Sequence, residues 1–423
     1  MTLQGPFVVV ADSPAPDVVE ALRKAGAFPI VETNWADAAE AVDSVAPEAI
    51  VLAEPCDDRE RSEEFSRALT ERLEAKGGAL TPVIARLRDD GAASVAGALA
   101  IAASLPAARI AQRASAALRV RTLHGTVLRR IETLTAHGSP APELPQSDPL
   151  DDATVLVAGR GRTYPALAVA VGERVGLVGA LSAENAARAL NARDIDGIVI
   201  GDGFGPRIVQ AMLTVLAEDV RFRDLPVTVL GGPAAVIEDF YMHLPNLDRV
   251  AEGPERLVER FLPFVRLHAF AQRLKRMLKS LDAQGMIDPD TGLLAHDAFW
   301  RDLNRAVGEA EKRGVGLSIA RFSFDRSDRR SSLDAARLVC RLMRQVDFAC
   351  READDSIFAV FTETDLRAAH VIARRIASVL KHTMLIPDSN SGGIETAVTL
   401  ATLKPSDNVE SLIARVVSQV AAG

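Results

Sequence analysis

Short runs of β-branched and aliphatic residues alternate with amphipathic stretches over the first two thirds of the chain. The runs FVVV, AIVL and PVIARL are followed, after a gap, by the similar runs TVLV, GIVI and PVTVL. Such an alternation is typical of βα units whose parallel strands are buried on both faces. The pattern therefore predicts two doubly wound α/β domains, over residues 1–138 and 153–282.

A proline-rich stretch separates the two predicted domains. Residues 139–152 contain Pro140, Pro142, Pro145 and Pro149. Proline disfavours a helix and favours an extended spacer, so these residues are predicted to form a linker.

A long helical stretch is predicted to close each α/β domain, one from about residue 107 to 135 and one from about residue 254 to 282. Apolar residues in both recur in steps of three and four: Val120, Leu123, Val127, Ile131 and Leu134, then Leu267, Phe270, Leu274, Met277 and Leu281. This spacing indicates either an amphipathic helix packed on its own sheet or a stalk that pairs domains or protomers.

The pattern changes in residues 283–423. A strand-like run LSIARFSF is followed by a helical stretch, and then by the runs DFACR and SIFAVF on either side of the turn EADD. Further helical stretches flank a last strand, TAVTLAT. Two strand-like runs joined by a short polar turn favour a β-hairpin, so we predict an α+β domain with an antiparallel hairpin at its centre.

Composition and charge exclude several classes of function. Of 423 residues, 48% are hydrophobic and 25% charged, as in ordinary globular proteins, and the net charge is -8. This charge provides no general attraction for nucleic acid or an anionic membrane. No apolar run approaches the ~18 residues of a membrane span, and the three cysteines are too scattered for a disulfide framework or a zinc site. We expect a cytoplasmic protein with no resident metal or cofactor.

Three motifs in the C-terminal region resemble those of the GGDEF family of diguanylate cyclases. They are DPDTGLLAHDAF (288–299), LSIARFSFD (317–325) and RQVDFACREADDSIFAVF (344–361), in the order and spacing of that family. The resemblance implies that residues 283–423 form a GGDEF domain. It also implies that two magnesium ions would be held by carboxylates at the positions of Ser323 and Ser356.

The departures from the family pattern lie at these metal positions. Ser323 and Ser356 carry hydroxyls, which cannot supply the charge that magnesium requires, while Asp325 and Asp355 keep their carboxylates. Phosphoryl transfer depends almost wholly on the metal and on positioning. From the sequence we therefore expect a degenerate active site, with no catalytic residues and no enzymatic activity.

Arg344 and Asp347 keep another feature of the family. The resemblance implies that this Arg-x-x-Asp sequence is the inhibitory site that binds cyclic di-GMP, completed by Arg374 or Arg375 from the helix after the hairpin. An arginine fork can engage guanine or phosphate, and a carboxylate can accept from the guanine N–H groups. The alternatives are a simple i,i+3 ion pair for Arg344 with Asp347, and a solvated helix face for the other two arginines.

The two N-terminal domains resemble receiver domains of response regulators. The resemblance places Glu54 and Asp202 at the phosphoacceptor position. The acidic pair that holds magnesium in receivers is incomplete in the first domain, and in the second Gly159 and Arg160 stand where the acids belong. We therefore expect both receivers to be degenerate, with Asp202 either a surviving phosphoacceptor or a residue that caps the next turn.

Two receivers followed by a degenerate GGDEF domain make up the architecture of PleD-like response regulators. The resemblance implies a homodimeric effector or adaptor that binds cyclic di-GMP at a cell pole. Its implied protein partners are RcdA and, through it, CtrA and the ClpXP protease. The alternatives are a residual diguanylate cyclase that makes cyclic di-GMP from GTP, and a structural scaffold without a ligand.

Overall fold

The structure is a computed structural model that describes residues 3–54, 59–75, 80–87, 95, 97–136, 138, 140, 142–232, 234–251, 253–324, 329–383 and 396–418. The chain forms two compact units. One is Met1–Arg121 with Pro145–Leu274, and the other is Thr122–Leu144 with Lys275–Gly423. The mixed α/β class with parallel sheets is confirmed, and the domain boundaries expected from the sequence stay predictions.

The first parallel sheet forms because its central strands are short apolar runs with every residue buried, as in FVVV and AIVL. The strands are β1 (Phe7–Val10), β2 (Ile30–Thr33), β3 (Ala49–Leu52), β4 (Val83–Leu87) and β5 (Leu99–Ala102). The helices are α1 (Pro16–Lys24), α2 (Ala38–Val45), α3 (Arg59–Ala75) and α4 (Ala108–Ala136). The strand order is β2-β1-β3-β4-β5, and all neighbours are parallel.

A second parallel sheet repeats this design. Its strands are β6 (Thr154–Ala158), β7 (Gly176–Ala180), β8 (Gly197–Ile200), β9 (Val227–Leu230) and β10 (Leu247–Val250). Its helices are α5 (Tyr164–Gly172), α6 (Ala183–Ala192), α7 (Pro206–Glu218), α8 (Ala234–Glu238) and α9 (Pro254–Asp282). The order β7-β6-β8-β9-β10 matches that of the first sheet, and both follow the flavodoxin-like order of doubly wound folds.

Helix α4 is tied to β10 by two buried arginines within the first unit. Arg109 and Arg113 each donate to the Leu247 carbonyl at 2.9 Å. Arg113 also lies 3.7 Å from Asp248, whose carboxylate is paired with Arg260. Buried charges need such partners because desolvation otherwise opposes folding.

The third sheet is antiparallel and belongs to the second unit. Its strands are β11 (Leu317–Phe324), β12 (Phe348–Arg351), β13 (Ile357–Thr362) and β14 (Thr396–Thr402), in the order β12-β13-β11-β14. Its helices are α10 (His296–Arg313), α11 (Arg329–Leu342), α12 (Leu366–Thr383) and α13 (Val409–Ser418). The predicted hairpin is confirmed, since β12 pairs antiparallel with β13 across a short turn.

A buried charge cluster in the second unit joins α4 to α10. The fully buried carboxylate of Asp302 lies 3.7 Å from Arg129 Nε and 3.4 Å from Arg130 Nη1. The Arg130 guanidinium also lies 5.6 Å from the centroid of the Phe348 ring. We refer to Arg129, Arg130 and Asp302 as the α4 charge cluster.

The apolar seam of α4 is largely covered within the chain. Leu123, Val127 and Leu134 are buried, and they belong to the second unit, whereas β1–β5 belong to the first. Their burial therefore does not show packing of this helix on its own sheet, and both interpretations stay predictions. Among the helices that the structure describes, none is both long and apolar enough to cross a membrane.

Candidate functional site

Arg344 and Asp347 lie in the segment between α11 and β12 and contact each other directly. The guanidinium donates from Nε to Asp347 Oδ2 at 2.9 Å and from Nη2 to Oδ1 at 3.2 Å. Nη2 also donates to Thr364 Oγ1 at 2.8 Å, and the Thr362 amide donates to Asp347 Oδ1 at 3.1 Å. The structure therefore brings the two predicted residues together as a bidentate pair.

The two members of this pair differ in exposure. The Asp347 side chain is 1% exposed and that of Arg344 is 38% exposed. Burial raises the pKa of Asp347, and the neighbouring Arg344 opposes that rise. Within the described residues Nη1 of Arg344 has no hydrogen-bond partner. The pair thus presents an arginine edge to solvent and keeps its carboxylate inside.

The other two predicted ligand residues lie on α12. Arg374 and Arg375 are exposed, and neither makes an ion pair or hydrogen bond with another residue that the structure describes. The described contacts of Arg344 do not include them. Helix α12 also has no acidic residue along its length, so its outer face is cationic.

The turn of the hairpin is closed by two arginines. Arg321 donates from Nε to Ser356 Oγ at 3.1 Å, and its Nη2 is paired with Asp354. The Asp355 carboxylate accepts from Arg351 Nη1 at 2.8 Å. Asp355 itself has a left-handed backbone, with a φ of 63°.

These donors do not fit the two magnesium ions that the family resemblance implies. The carboxylates nearest Ser356 are neutralised by arginines, and a hydroxyl brings no charge to a hard cation. Asp325, the other predicted acid, lies outside the described residues. Among the residues that are described, no group of three or more His, Cys, Asp or Glu side chains could hold a metal ion.

Asp202 and Glu54, at the predicted phosphoacceptor positions, both bind neighbouring loops. The Asp202 carboxylate accepts from the hydroxyl of Thr163, and its backbone carbonyl accepts from the Gly161 amide at 3.0 Å. Glu54 Oε2 accepts from the Ser13 amide at 3.3 Å. The geometry at Asp202 supports the alternative in which this residue caps a loop; its assignment as a degenerate phosphoacceptor position stays a prediction.

Arg321 is a site residue that the sequence analysis missed. It lies two positions before Ser323 on β11, so the two side chains share one face of the sheet. That period of two was visible in the sequence. It could have identified a cation beside the position where a metal was expected.

No family model matches the sequence, and no curated protein is similar to it. Solved structures of GGDEF domains do show similarity. The coiled coil and GGDEF domain of DgcB from Caulobacter crescentus, in complex with c-di-GMP, is 22% identical, with a TM-score of 0.31, over 36% of this chain and 86% of that one. The diguanylate cyclase SiaD of Pseudomonas aeruginosa, in complex with its activator SiaC, is 16% identical, with a TM-score of 0.31. The match covers 36% of this chain and 66% of SiaD. The active GGEEF domain of a Vibrio cholerae diguanylate cyclase is 16% identical, with a TM-score of 0.27. The match covers 29% of this chain and 85% of that domain. At these identities and TM-scores the similarity assigns no activity to this chain.

The expectation that this chain is not an enzyme does not stand, because catalytic inactivity is not shown. Its structural neighbours are GGDEF domains of diguanylate cyclases, and one of them is an active domain. The expectation relied on the hydroxyls of Ser323 and Ser356. Two substituted positions remove charge from a metal site, but they do not by themselves establish that catalysis is lost.

Proposed function

We propose that this chain binds cyclic di-GMP through Arg344 and transmits the signal by contacts with other proteins. The observation that carries the proposal is the partly exposed side chain of Arg344, whose Nε donates to the buried Asp347 at 2.9 Å and whose Nη1 is free among the described residues. The same Arg-x-x-Asp spacing is a feature of the family that the sequence resembles.

The burial of Asp347 suggests that Arg344 and Asp347 have different roles in ligand binding. A planar guanidinium recognises phosphate oxygens or the guanine edge through paired N–H donors. Arg344 would meet the ligand, and Asp347 would orient the guanidinium. The exposed Arg374 and Arg375 add cations on α12 that support binding of an anionic ligand.

The proposal is tested by calorimetric titration of cyclic di-GMP into the full chain. Arg344→Lys keeps the positive charge but loses the planar fork, so we expect binding at least ~10-fold weaker, which corresponds to ~1.4 kcal/mol. The matched control is Arg337→Lys, which alters an exposed i,i+3 pair with Asp334 in the same domain. Equal affinity of both variants would refute the site.

The protein partners are a further part of this proposal. The family resemblance supports recruitment of RcdA, and through it CtrA and ClpXP, at a cell pole. An apolar groove between α6 and α7, lined by Leu190, Met212, Val215 and Phe222, supports a protein-contact role for the second α/β domain. Binding of RcdA to the immobilised chain should increase when cyclic di-GMP is added; binding that ignores the ligand would refute this part.

Diguanylate cyclase activity is the second candidate function. The register of β11 against β13 pairs Phe322 with Ile357, so Ser323 and Ser356 follow at the same end of the sheet. This keeps the two positions together as the family resemblance requires. Incubation with GTP and magnesium, followed by chromatography of the nucleotides, tests it: cyclic di-GMP as product would establish the activity. If the chain neither binds nor makes cyclic di-GMP, the structural scaffold is the remaining interpretation.

A further inference from the structure

An open cavity of about 570 Å³ lies at the C-terminal end of α9, beside the segment that joins α11 to β12. Among its lining residues are Lys275, Arg276, Lys279, Asp282, Ile287 and Gln345. Sites for small molecules commonly have volumes of ~300–1,000 Å³. The cavity is therefore large enough for part of a nucleotide-sized ligand.

The cavity is positively charged. Lys275, Arg276 and Lys279 are exposed, and none of them has a salt bridge or hydrogen bond to another described residue. The carboxylate of Asp282 lies 3.6 Å from Arg130 Nε, so it is already engaged elsewhere. Three unpaired cations against one engaged carboxylate favour an anionic occupant.

The cavity and Arg344 are linked along the chain, and Arg344 itself is not among the lining residues. Gln345, which lines the cavity, directly follows Arg344, and consecutive Cα atoms are about 3.8 Å apart. Cyclic di-GMP carries two phosphodiester groups and two purines, so a single molecule can extend over more than one group of cations. The free Nη1 of Arg344 and the cations of α9 provide two such groups.

We propose that cyclic di-GMP bound at Arg344 extends into this cavity, where the cations of α9 contact its second phosphodiester. The inference rests on the function proposed above and assigns a second half to the same binding site. Lys275 and Lys279, four residues apart, lie on one side of the helix and approach the ligand together. Gln345 supplies an amide that can donate to the ligand or accept from it.

The test compares two double variants of the full chain in calorimetric titration with cyclic di-GMP. Lys275→Ala/Lys279→Ala removes two cations of the cavity, and the control Arg256→Ala/Arg266→Ala removes two exposed cations of α9 that do not line it. Loss of a charge-assisted contact should weaken binding at least ~10-fold in the first variant. The control should bind like the unaltered chain.

Salt provides a second measurement. The Debye length falls from about 10 Å at 0.1 M to about 3 Å at 1 M ionic strength, so the difference between the two double variants should shrink at high salt. A difference that persists unchanged would point to altered folding of α9 and would overturn the inference.

The outcomes separate this inference from the proposed function. If Arg344→Lys loses binding and the cavity variant does not, the inference is overturned while the Arg344 site stands. If only the cavity variant loses binding, the cavity is the site and the role of Arg344 is refuted. If the unaltered chain does not bind cyclic di-GMP, both fall together.

Discussion

Replacing Arg344 with alanine should destabilise the second unit, and more strongly at neutral than at acidic pH. The change removes two hydrogen bonds to the Asp347 carboxylate, of 2.9 and 3.2 Å. The Asp347 side chain, which is 1% exposed, then keeps only the Thr362 amide and hydroxyl as described hydrogen-bond donors. A buried carboxylate without its cation is the source of the destabilisation.

The size of the effect follows from the burial of the pair. Removing one partner of a fully buried ion pair costs about 3–5 kcal/mol. Arg344 is itself 38% exposed, so water can enter the space that its side chain leaves and solvate part of Asp347. We therefore expect the free energy of unfolding to fall by about 2–3 kcal/mol at neutral pH.

The pH dependence has a definite sign. Burial raises the pKa of Asp347 above that of an unfolded aspartate, and loss of Arg344 should raise it further because Arg344 lowers it. A raised folded-state pKa gives a contribution that is fully present below the unfolded pKa, near about 4, and is lost as pH rises through the folded pKa. The deficit of Arg344→Ala should therefore be larger at pH ~7 than at pH ~4.

The two tryptophans allow the assay to report one unit. Trp35 lies in the first unit and Trp300 in α10 of the second, so a Trp35→Phe background leaves Trp300 as the probe. Urea unfolding of Arg344→Ala is compared with that of Arg337→Ala. The latter variant removes an exposed ion pair with Asp334, which should contribute less than ~1 kcal/mol to the free energy of unfolding. A loss below ~0.5 kcal/mol for Arg344→Ala, or a deficit that grows as pH falls, would refute the reasoning.

Three further predictions concern buried or paired groups. Asp302→Ala leaves the two arginines of the α4 charge cluster without their shared carboxylate, and should destabilise the second unit by about 3–5 kcal/mol in the same Trp300 assay. Burial, with a nearby glutamate, raises the pKa of Cys350, so this thiol should escape iodoacetamide in the native chain and react only after unfolding, as mass spectrometry would show. Asp202→Ala removes the acceptor of the Thr163 hydroxyl and should destabilise the first unit by about 1 kcal/mol, as measured from the fluorescence of Trp35 in a chain that lacks Trp300.

The fold was predictable where burial is uniform and was missed where a charge is buried. Strands such as FVVV and GIVI are apolar at every position, so their hydrophobic runs predict them directly. Strand β10 reads LDRV and was not recognised. Its Asp248 is buried because Arg260 and Arg113 pair with it, and neither partner is close in sequence to reveal this.

The contact between Arg344 and Asp347 was predictable from the sequence, but the burial of the two side chains was not. The i,i+3 spacing of Arg344 and Asp347 suffices to predict their contact. The deep burial of one partner and the exposure of the other depend on Thr362 and Thr364, which follow the hairpin. The cavity of α9 depends on the approach of Gln345 from a distant segment, and no local pattern indicates that approach.

Three aspartates around the hairpin share a property that bears on ligand recognition, because each is bound to an arginine. The pairs are Asp347 with Arg344, Asp354 with Arg321, and Asp355 with Arg351. A ligand that needs one of these three carboxylates must first displace a guanidinium, which costs about 1.5–3 kcal/mol for a charged hydrogen bond. A ligand that offers phosphate oxygens displaces nothing.

Recognition at Arg344 should therefore follow the phosphates of the ligand more than its bases. Cyclic di-AMP has the same phosphodiester ring but lacks the N–H edge that a carboxylate would read in guanine. We expect it to compete for the full chain within ~10-fold of cyclic di-GMP, because a good bidentate base contact would contribute about 1–3 kcal/mol and Asp347 is occupied. A preference above ~100-fold for cyclic di-GMP would contradict this, and would mean that Asp347 turns away from Arg344 to read guanine when the ligand binds.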